Sequence, residues 1–231
     1  MSVQLRLERG DGVLGEFDAV MVDLDGTMVD TLGDFAEALN RMLVDLALPA
    51  VPATAIENMV GKGSEHLIRS VLAYVGVADV ASRYESAWQR YQHHYLAING
   101  QYAKVYDGVK EGLAQLQAAG LPMACLTNKP LSFAVPLLEA KGLAPYFCHV
   151  FGGDSFTKKK PDPLPLLKTC EALGTVPART LMLGDSSNDA QAARAAGCPV
   201  VLVTYGYNHG QPIRDVNAHG FVGSLAALRL A

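Results

Sequence analysis

At 231 residues, half of them hydrophobic, the chain is long enough to bury a core of its own, as one large domain or as a core plus an insert. Its 19 basic and 23 acidic side chains leave a formal net charge of -4, so no overall positive field exists to hold nucleic acid or an anionic bilayer, and an anionic ligand must be met by local groups. Met1 to Phe17 lacks the unbroken apolar segment of a signal peptide and no later run reaches membrane-spanning length. Cys125, Cys148, Cys170 and Cys198 are scattered without a C-x-x-C pair, so the expectation is a cytoplasmic protein with buried, reduced thiols.

Beyond a possible edge hairpin, Met1 to Gly15 shows no pattern. β-rich runs follow at Phe17 to Leu24, Met123 to Thr127, His149 to Gly152, Thr180 to Gly184 and Pro199 to Thr204, separated by helical spacings. That alternation predicts a parallel, doubly wound α/β sheet. Asp107 reads as the N-cap of a helix over Gly108 to Ala119 closed by Gly120, and Gly197 closes a helix over Asp189 to Ala196.

After the first strand the pattern breaks, because residues 31–106 are far too many for an ordinary βα connection. Phe35, Leu39, Met42, Leu43 and Leu46 fall on one helical face behind Thr31, and the same spacing recurs in Ile56/Met59/Val60, Leu67/Val71 and Trp88/Tyr91/Tyr95. The reading is a small helical cap over 31–106 inserted into a core made of 1–30 and 107–231, with Asp30 to Gly33 and Gly100 to Tyr106 as the connecting hinges.

Chemistry concentrates at strand ends. Asp23-Leu24-Asp25-Gly26-Thr27 follows the apolar run Ala19 to Val22, and Gly26 signals that the strand breaks into a tight loop at the sheet's carboxyl edge, where ligands of open α/β sheets bind. Gly184-Asp185-Ser186-Ser187-Asn188-Asp189 likewise follows Leu181 to Leu183 and opens a helix. Either segment alone also suits a capped turn. Together, if neighbouring strands bring Asp23, Asp25, Asp185 and Asp189 into one place, each pair of carboxylates about 5 Å apart repels by roughly 3 kcal/mol at an effective dielectric of 20. A divalent cation relieves this, and hard oxygen donors favour Mg²⁺, which keeps waters and binds phosphate. Thr127-Asn128, at the end of the next apolar run, offers a hydroxyl and free amides that suit either a phosphate oxygen or a helix start. Lys160, held before Pro161, is a cation aimed by its restricted backbone, whereas Lys158 and Lys159 read as solvated.

With these residues in place, the chain resembles the haloacid dehalogenase superfamily: D-x-D-x-T at Asp23 to Thr27, a strand-end Thr127, Lys160 before proline, and G-D-x-x-N-D at Gly184 to Asp189, in that order and spanning almost the whole chain. The resemblance implies a Rossmann-like core with a helical cap. It also implies a Mg²⁺-dependent phosphatase in which Asp23 attacks phosphorus, Asp25 protonates the leaving oxygen and later activates water, and Thr27 orders the loop. In the same scheme Thr127 and Asn128 hold phosphate and Lys160 offsets charge. Asp185 ligates the metal with Asp23 and the backbone carbonyl of Asp25, while Asp189 either binds the metal through water or orients Lys160. Val29-Asp30-Thr31 through Asp34, Ala38 and Asn40 is similar to phosphoglycolate phosphatases, which points to a small phosphorylated metabolite, 2-phosphoglycolate first, with no nucleic acid or membrane partner and a monomer or homodimer as the assembly. Phosphatases of 5′-nucleotides, pyrophosphate or sugar phosphates, a phosphomutase, and a non-catalytic binding protein on the same fold are the alternatives.

Lys62, His66 and Arg69, near the turn Gly61-Lys62-Gly63-Ser64, are candidates to meet the distal end of a substrate, against the reading of ordinary solvated helix-end residues. That turn is not a Walker A loop, because Gly63 stands where Ser or Thr must follow the lysine. His93 and His94 read as surface histidines, and Asp23 to Asp34 lacks the glycine an EF-hand needs at its sixth position.

Overall fold

The computed structural model describes residues 3–7 and 13–230. Its centre is a six-stranded sheet built from β3 (Ala19–Val22), β6 (Met123–Leu126), β7 (His149–Phe151), β8 (Thr180–Gly184), β9 (Val200–Val203) and β10 (Gly220–Val222). The order is β10-β9-β8-β3-β6-β7 and every pairing is parallel, so all strands end at one edge. Both faces are covered, and the side chains divide by parity as a pleated strand requires. Val20, Val22, Met123, Cys125, Leu181 and Leu183 pack with Leu113 and Leu116 of α5 (Val109–Ala118) and Leu137 of α6 (Leu131–Ala140). Met21, Met182, Val200 and Leu202 pack with Leu166 of α7 (Leu164–Leu173) and Ala193 of α8 (Ser187–Ala196) on the other side.

Register puts the chemistry in one row. Val22 stands opposite both Leu183 and Cys125, so the residues that follow β3, β6 and β8 emerge side by side. The expected Pro199 to Thr204 strand is two residues shorter, and β10, a short run with Gly220, goes unannounced in the sequence. Helix α5 starts one residue late: its N-cap is Gly108 with φ of 78°, a conformation open to glycine and disfavoured for an aspartate, so Asp107 does not cap it. Cys125, Cys170 and Cys198 are buried, but Cys148 is exposed, since the segment before β7 runs over the surface. The strands of the expected N-terminal hairpin, β1 (Val3–Leu7) and β2 (Val13–Phe17), pair antiparallel and continue into β11 (Leu228–Leu230) as a separate three-stranded sheet; residues 8–12 between them lie outside the described residues.

Between β3 and β6 the chain makes β4 (Val29–Asp30), four helices and β5 (Lys104–Val105). The helices α1 (Leu32–Asp45), α2 (Ala53–Glu57), α3 (Ser64–Tyr74) and α4 (Val80–Ile98) enclose a hydrophobic cluster that includes Phe35, Leu39, Met42, Ile56, Tyr91 and Tyr95. Spacings of three and four along α1 and α4 place these residues on inward stripes. The two crossings of this insert are tied together: β4 pairs with β5, and the buried Asp34 carboxylate accepts the Gly100 and Tyr102 amides at 2.7 Å each. Thr31 is the α1 N-cap residue, but its hydroxyl is not used for capping and donates to Asp25.

Removing a buried methylene cluster from the insert is expected to be costly. Leu39→Ala, at a site with no exposure, lowers the unfolding free energy by about 2–5 kcal/mol in urea titrations, while Leu96→Ala on the exposed face of α4 changes it by no more than about 0.5 kcal/mol.

Candidate active site

The loop after β3 turns on Gly26, whose φ is 82° and whose missing Cβ leaves room for the Asp185 carboxylate, which would lie 2.1 Å from a methyl group there. The Asp23 and Asp25 side chains thus part at the strand end. Asp23 is nearly buried; its Oδ1 accepts the Leu24 amide at 2.7 Å and lies 3.1 Å from Lys160 Nζ. Asp25 Oδ1 accepts from Thr31 Oγ1 at 2.8 Å and from Lys129 Nζ at 2.7 Å. Thr27 donates its hydroxyl to Asp185 Oδ1 at 3.1 Å, which pins the first loop to the second.

On the second loop, a capping box starts α8: Ser186 is the N-cap and Asp189 its reciprocal partner. Asp189 Oδ2 accepts from the Ser186 hydroxyl at 2.8 Å and the Ser186 amide at 3.1 Å, and Oδ1 accepts Lys160 Nζ at 2.7 Å. Asp185 Oδ2 accepts the Tyr207 amide at 2.6 Å. Asp23, Asp185 and Asp189 present carboxylate oxygens within 4.8 Å of one another, the one such convergence of three acid, histidine or cysteine ligands among the described residues. Hard oxygen donors of this number and spacing fit a small divalent cation; Asp189, which accepts four hydrogen bonds against two at Asp185, has the least capacity left for it.

Electrostatics follow from burial. Desolvation raises the Asp23 carboxyl to about 7, with Lys160 opposing and the Asp189 and Asp25 charges adding to the rise. Asp185 is raised well above the carboxylate range, first by burial and then by Asp189 and Asp23, against hydrogen bonds from Tyr207 and Thr27. Burial works to discharge Lys160, but the Asp189 and Asp23 carboxylates outweigh it and the ammonium stays charged. Lys160 also donates to the Leu126 carbonyl at 2.8 Å, whereas Lys158 and Lys159 are exposed, so Lys160 is the lysine that enters the cluster.

Thr127 and Asn128 continue the row. The Thr127 hydroxyl accepts the Lys129 amide at 3.2 Å, and the Asn128 side-chain amide donates to the carbonyls of Lys160 at 2.8 Å and Gly61 at 3.1 Å. Asn188 donates to the same Gly61 carbonyl at 3.1 Å. The Gly61 carbonyl of the insert is thus held by two side chains of the sheet edge. A cavity of about 20 Å³, room for roughly one water, remains between them, with Asp23, Asp25, Thr127 and Lys129 on one wall and Gly63, Ser64 and Leu67 on the other.

Lys62 and His66 are exposed, and Arg69 is held by Glu65 at 2.9 Å and by the Tyr84 ring; none of the three lines that cavity. The turn approaches the site with its backbone and Ser64, and its charged side chains face outward. Sequence reasoning passed over Lys129, which is 3 % exposed and lies 4.4 Å from the centre of the Phe35 ring. Its signal was position alone, directly after Thr127-Asn128. It also passed over Tyr207, whose amide holds Asp185 while its hydroxyl bonds Asp30 and accepts the Thr31 amide at 3.0 Å.

A family model described as haloacid dehalogenase-like hydrolase matches residues 20–203. The phosphoglycolate phosphatase of Thiobacillus denitrificans is 44 % identical over 200 residues, which cover 85 % of this chain and 87 % of that protein. A plasmid-borne phosphoglycolate phosphatase of Cupriavidus necator is 43 % identical, with 84 % of each covered. Among solved structures, a predicted phosphoglycolate phosphatase from Haemophilus somnus superposes with a TM-score of 0.87 at 32 % identity, over 91 % of this chain and 95 % of that one.

The raised carboxyls make a pH prediction for the metal-free protein. Asp23 holds its proton to about 7 when folded but only to the ordinary 3.8 when unfolded, so the folded chain binds more protons between those values and its stability falls as pH rises through them. Asp23→Asn keeps an oxygen for the Leu24 and Lys160 donors and removes the titration. Its melting temperature in chelator is expected to fall less from pH 4.5 to pH 7.5 than that of the unsubstituted chain, and parallel curves would refute the assignment.

Proposed function

The chain belongs to the haloacid dehalogenase-like hydrolases and is a phosphatase of that family, and from this membership and the site geometry we propose that it hydrolyses a small phosphomonoester through Asp23. The observation that carries the reading is the meeting of Asp23, Asp185, Asp189, Lys160 and Thr127 at one end of a parallel sheet, beneath an insert that leaves almost no room for bulk water.

In the proposed reaction an Asp23 carboxylate oxygen bonds to phosphorus while the bond to the ester oxygen breaks, and Asp25 gives that oxygen its proton. Asp25 then takes a proton from water, whose oxygen bonds to phosphorus as the Asp23–phosphorus linkage breaks, and inorganic phosphate leaves. Thr127 and the backbone amide of Asn128 hold the phosphoryl oxygens, and Lys160 offsets their charge from a position fixed by Asp189. Asp23, Asp185 and the backbone carbonyl of Asp25 would hold Mg²⁺, which when bound neutralises the crowded carboxylates and the phosphate charge. Thr27 keeps the first loop in register with Asp185.

Residues 31–106 act as a cap that lifts to admit substrate and closes on the Gly61 contacts. The tight cavity favours a small leaving group such as glycolate over a nucleoside, and the names of the two curated relatives support 2-phosphoglycolate as substrate.

Phosphate release from a panel of metabolites, with Mg²⁺ and with chelator, tests this. 2-Phosphoglycolate is expected to be the best substrate and chelator to remove the activity. Asp23→Asn should cost on the order of 10⁴-fold or more in kcat and Asp25→Asn about 10²–10⁴-fold. An Asp23→Asn protein that keeps full turnover would sink the nucleophile.

A further inference from the structure

Lys129 on the inner wall of the cavity, and Tyr95 packed behind it, are polar groups that the proposed phosphate chemistry leaves unused. Lys129 has a side chain 1 % exposed, yet its three N–H bonds meet a single oxygen, Asp25 Oδ1, and otherwise the Phe35 and Tyr95 rings at 4.4 and 4.9 Å. A buried ammonium is expensive without full pairing. Beside it stands Tyr95, with no exposure and a hydroxyl that has no hydrogen-bond partner, its ring centre 5.5 Å from that of Tyr91. Ser64, on the cavity wall, neighbours the Tyr91 hydroxyl. Buried hydroxyls are almost always satisfied, and for packing alone phenylalanine would serve at lower desolvation cost. An ammonium with donors to spare and an unpartnered hydroxyl match an oxyanion.

Distance along the chemistry identifies which one. Asp25 touches the leaving oxygen in the proposed reaction and Lys129 touches Asp25, so the ammonium lies two hydrogen bonds from that oxygen, within the span of a –CH₂–COO⁻ unit. We infer that Lys129, with the hydroxyl of Tyr95, is a carboxylate subsite that selects phosphomonoesters bearing an acid group on the carbon that carries the ester oxygen. This rests on the phosphatase reading, which places the leaving oxygen. Lys129 is a specificity-determining residue in it, and its contact with Asp25 is the route by which the subsite lies next to the reacting bond.

Binding to the inert Asp23→Asn protein with Mg²⁺, measured by calorimetry, separates the subsite from turnover. The probes are 2-phosphoglycolate and ethyl phosphate, which has a methyl group where the other has its carboxylate. 2-Phosphoglycolate is expected to bind at least about tenfold more tightly, as fits a hydrogen-bonded charge pair. Adding Lys129→Met should remove most of that ratio while ethyl phosphate changes by less than about threefold, and Lys129→Arg should restore part of it. Tyr95→Phe, which deletes a hydroxyl without a partner, should leave the melting temperature equal or higher and still weaken 2-phosphoglycolate selectively, so the inference stays testable should Lys129→Met not fold. Equal affinity for the two probes in the Asp23→Asn protein, or equal losses for both on Lys129→Met, overturns the subsite. Absence of phosphate release by the unsubstituted chain overturns the phosphatase reading instead, and the two failures are read in different experiments.

Discussion

The architecture depends on keeping like charges together. Asp23, Asp185 and Asp189 converge in a buried corner with Lys160 as the cation between two of them, and Asp25 is matched by Lys129 a short distance away. Left to themselves the carboxylates would either protonate or spread apart, and the raised Asp23 and Asp185 carboxyls show the first tendency. The backbone prevents the second. Parallel register sets the loops side by side, Gly26 lets Asp185 approach, and the missing side chain at Gly184 makes room for Asp189, which would otherwise lie 2.4 Å from a Cβ. The stability given up here is supplied by the two apolar layers of the sheet.

What could be read in advance follows from how local each signal is. Apolar runs of four or five residues buried on both faces are visible one at a time, and acidic loops directly after two of them point to a shared edge. Lys160 was legible because proline limits its backbone. Lys129 was not: a lysine after Thr-Asn at the start of a helix looks solvated, and only the insert, folding back with Phe35 from 94 positions earlier and Tyr95 from 34, encloses it. Lys62, His66 and Arg69 failed to line the cavity for the converse reason, since glycines on either side of Lys62 bring the main chain inward and leave long side chains in water. Tyr207 sits in a stretch without regular periodicity, and its part comes wholly from partners about 22 and 177 positions away.

Insert and core are joined at more than their crossings. Tyr207 spans from Asp185, in the carboxylate cluster, to Asp30 and Thr31, where the insert begins, and Thr31 in turn bonds Asp25. Tyr207 also packs with the hydrophobic cluster of the insert. A tilt of α1 is therefore felt by both loops that hold the acids, through rigid and short links and without a flexible tether. Lys141, which donates to the Gly100 and Ala103 carbonyls at 2.6 and 2.7 Å, steadies the other crossing from the core side.

The sharing of the Gly61 carbonyl by Asn128 and Asn188 has its own consequence. Each side chain spends an N–H on this one acceptor, Asn128 from the loop after β6 and Asn188 from α8, so two separate parts of the sheet's carboxyl edge grip the same carbonyl. Loss of either amide leaves that carbonyl bonded to the other, and the acceptor is left bare only when both are gone.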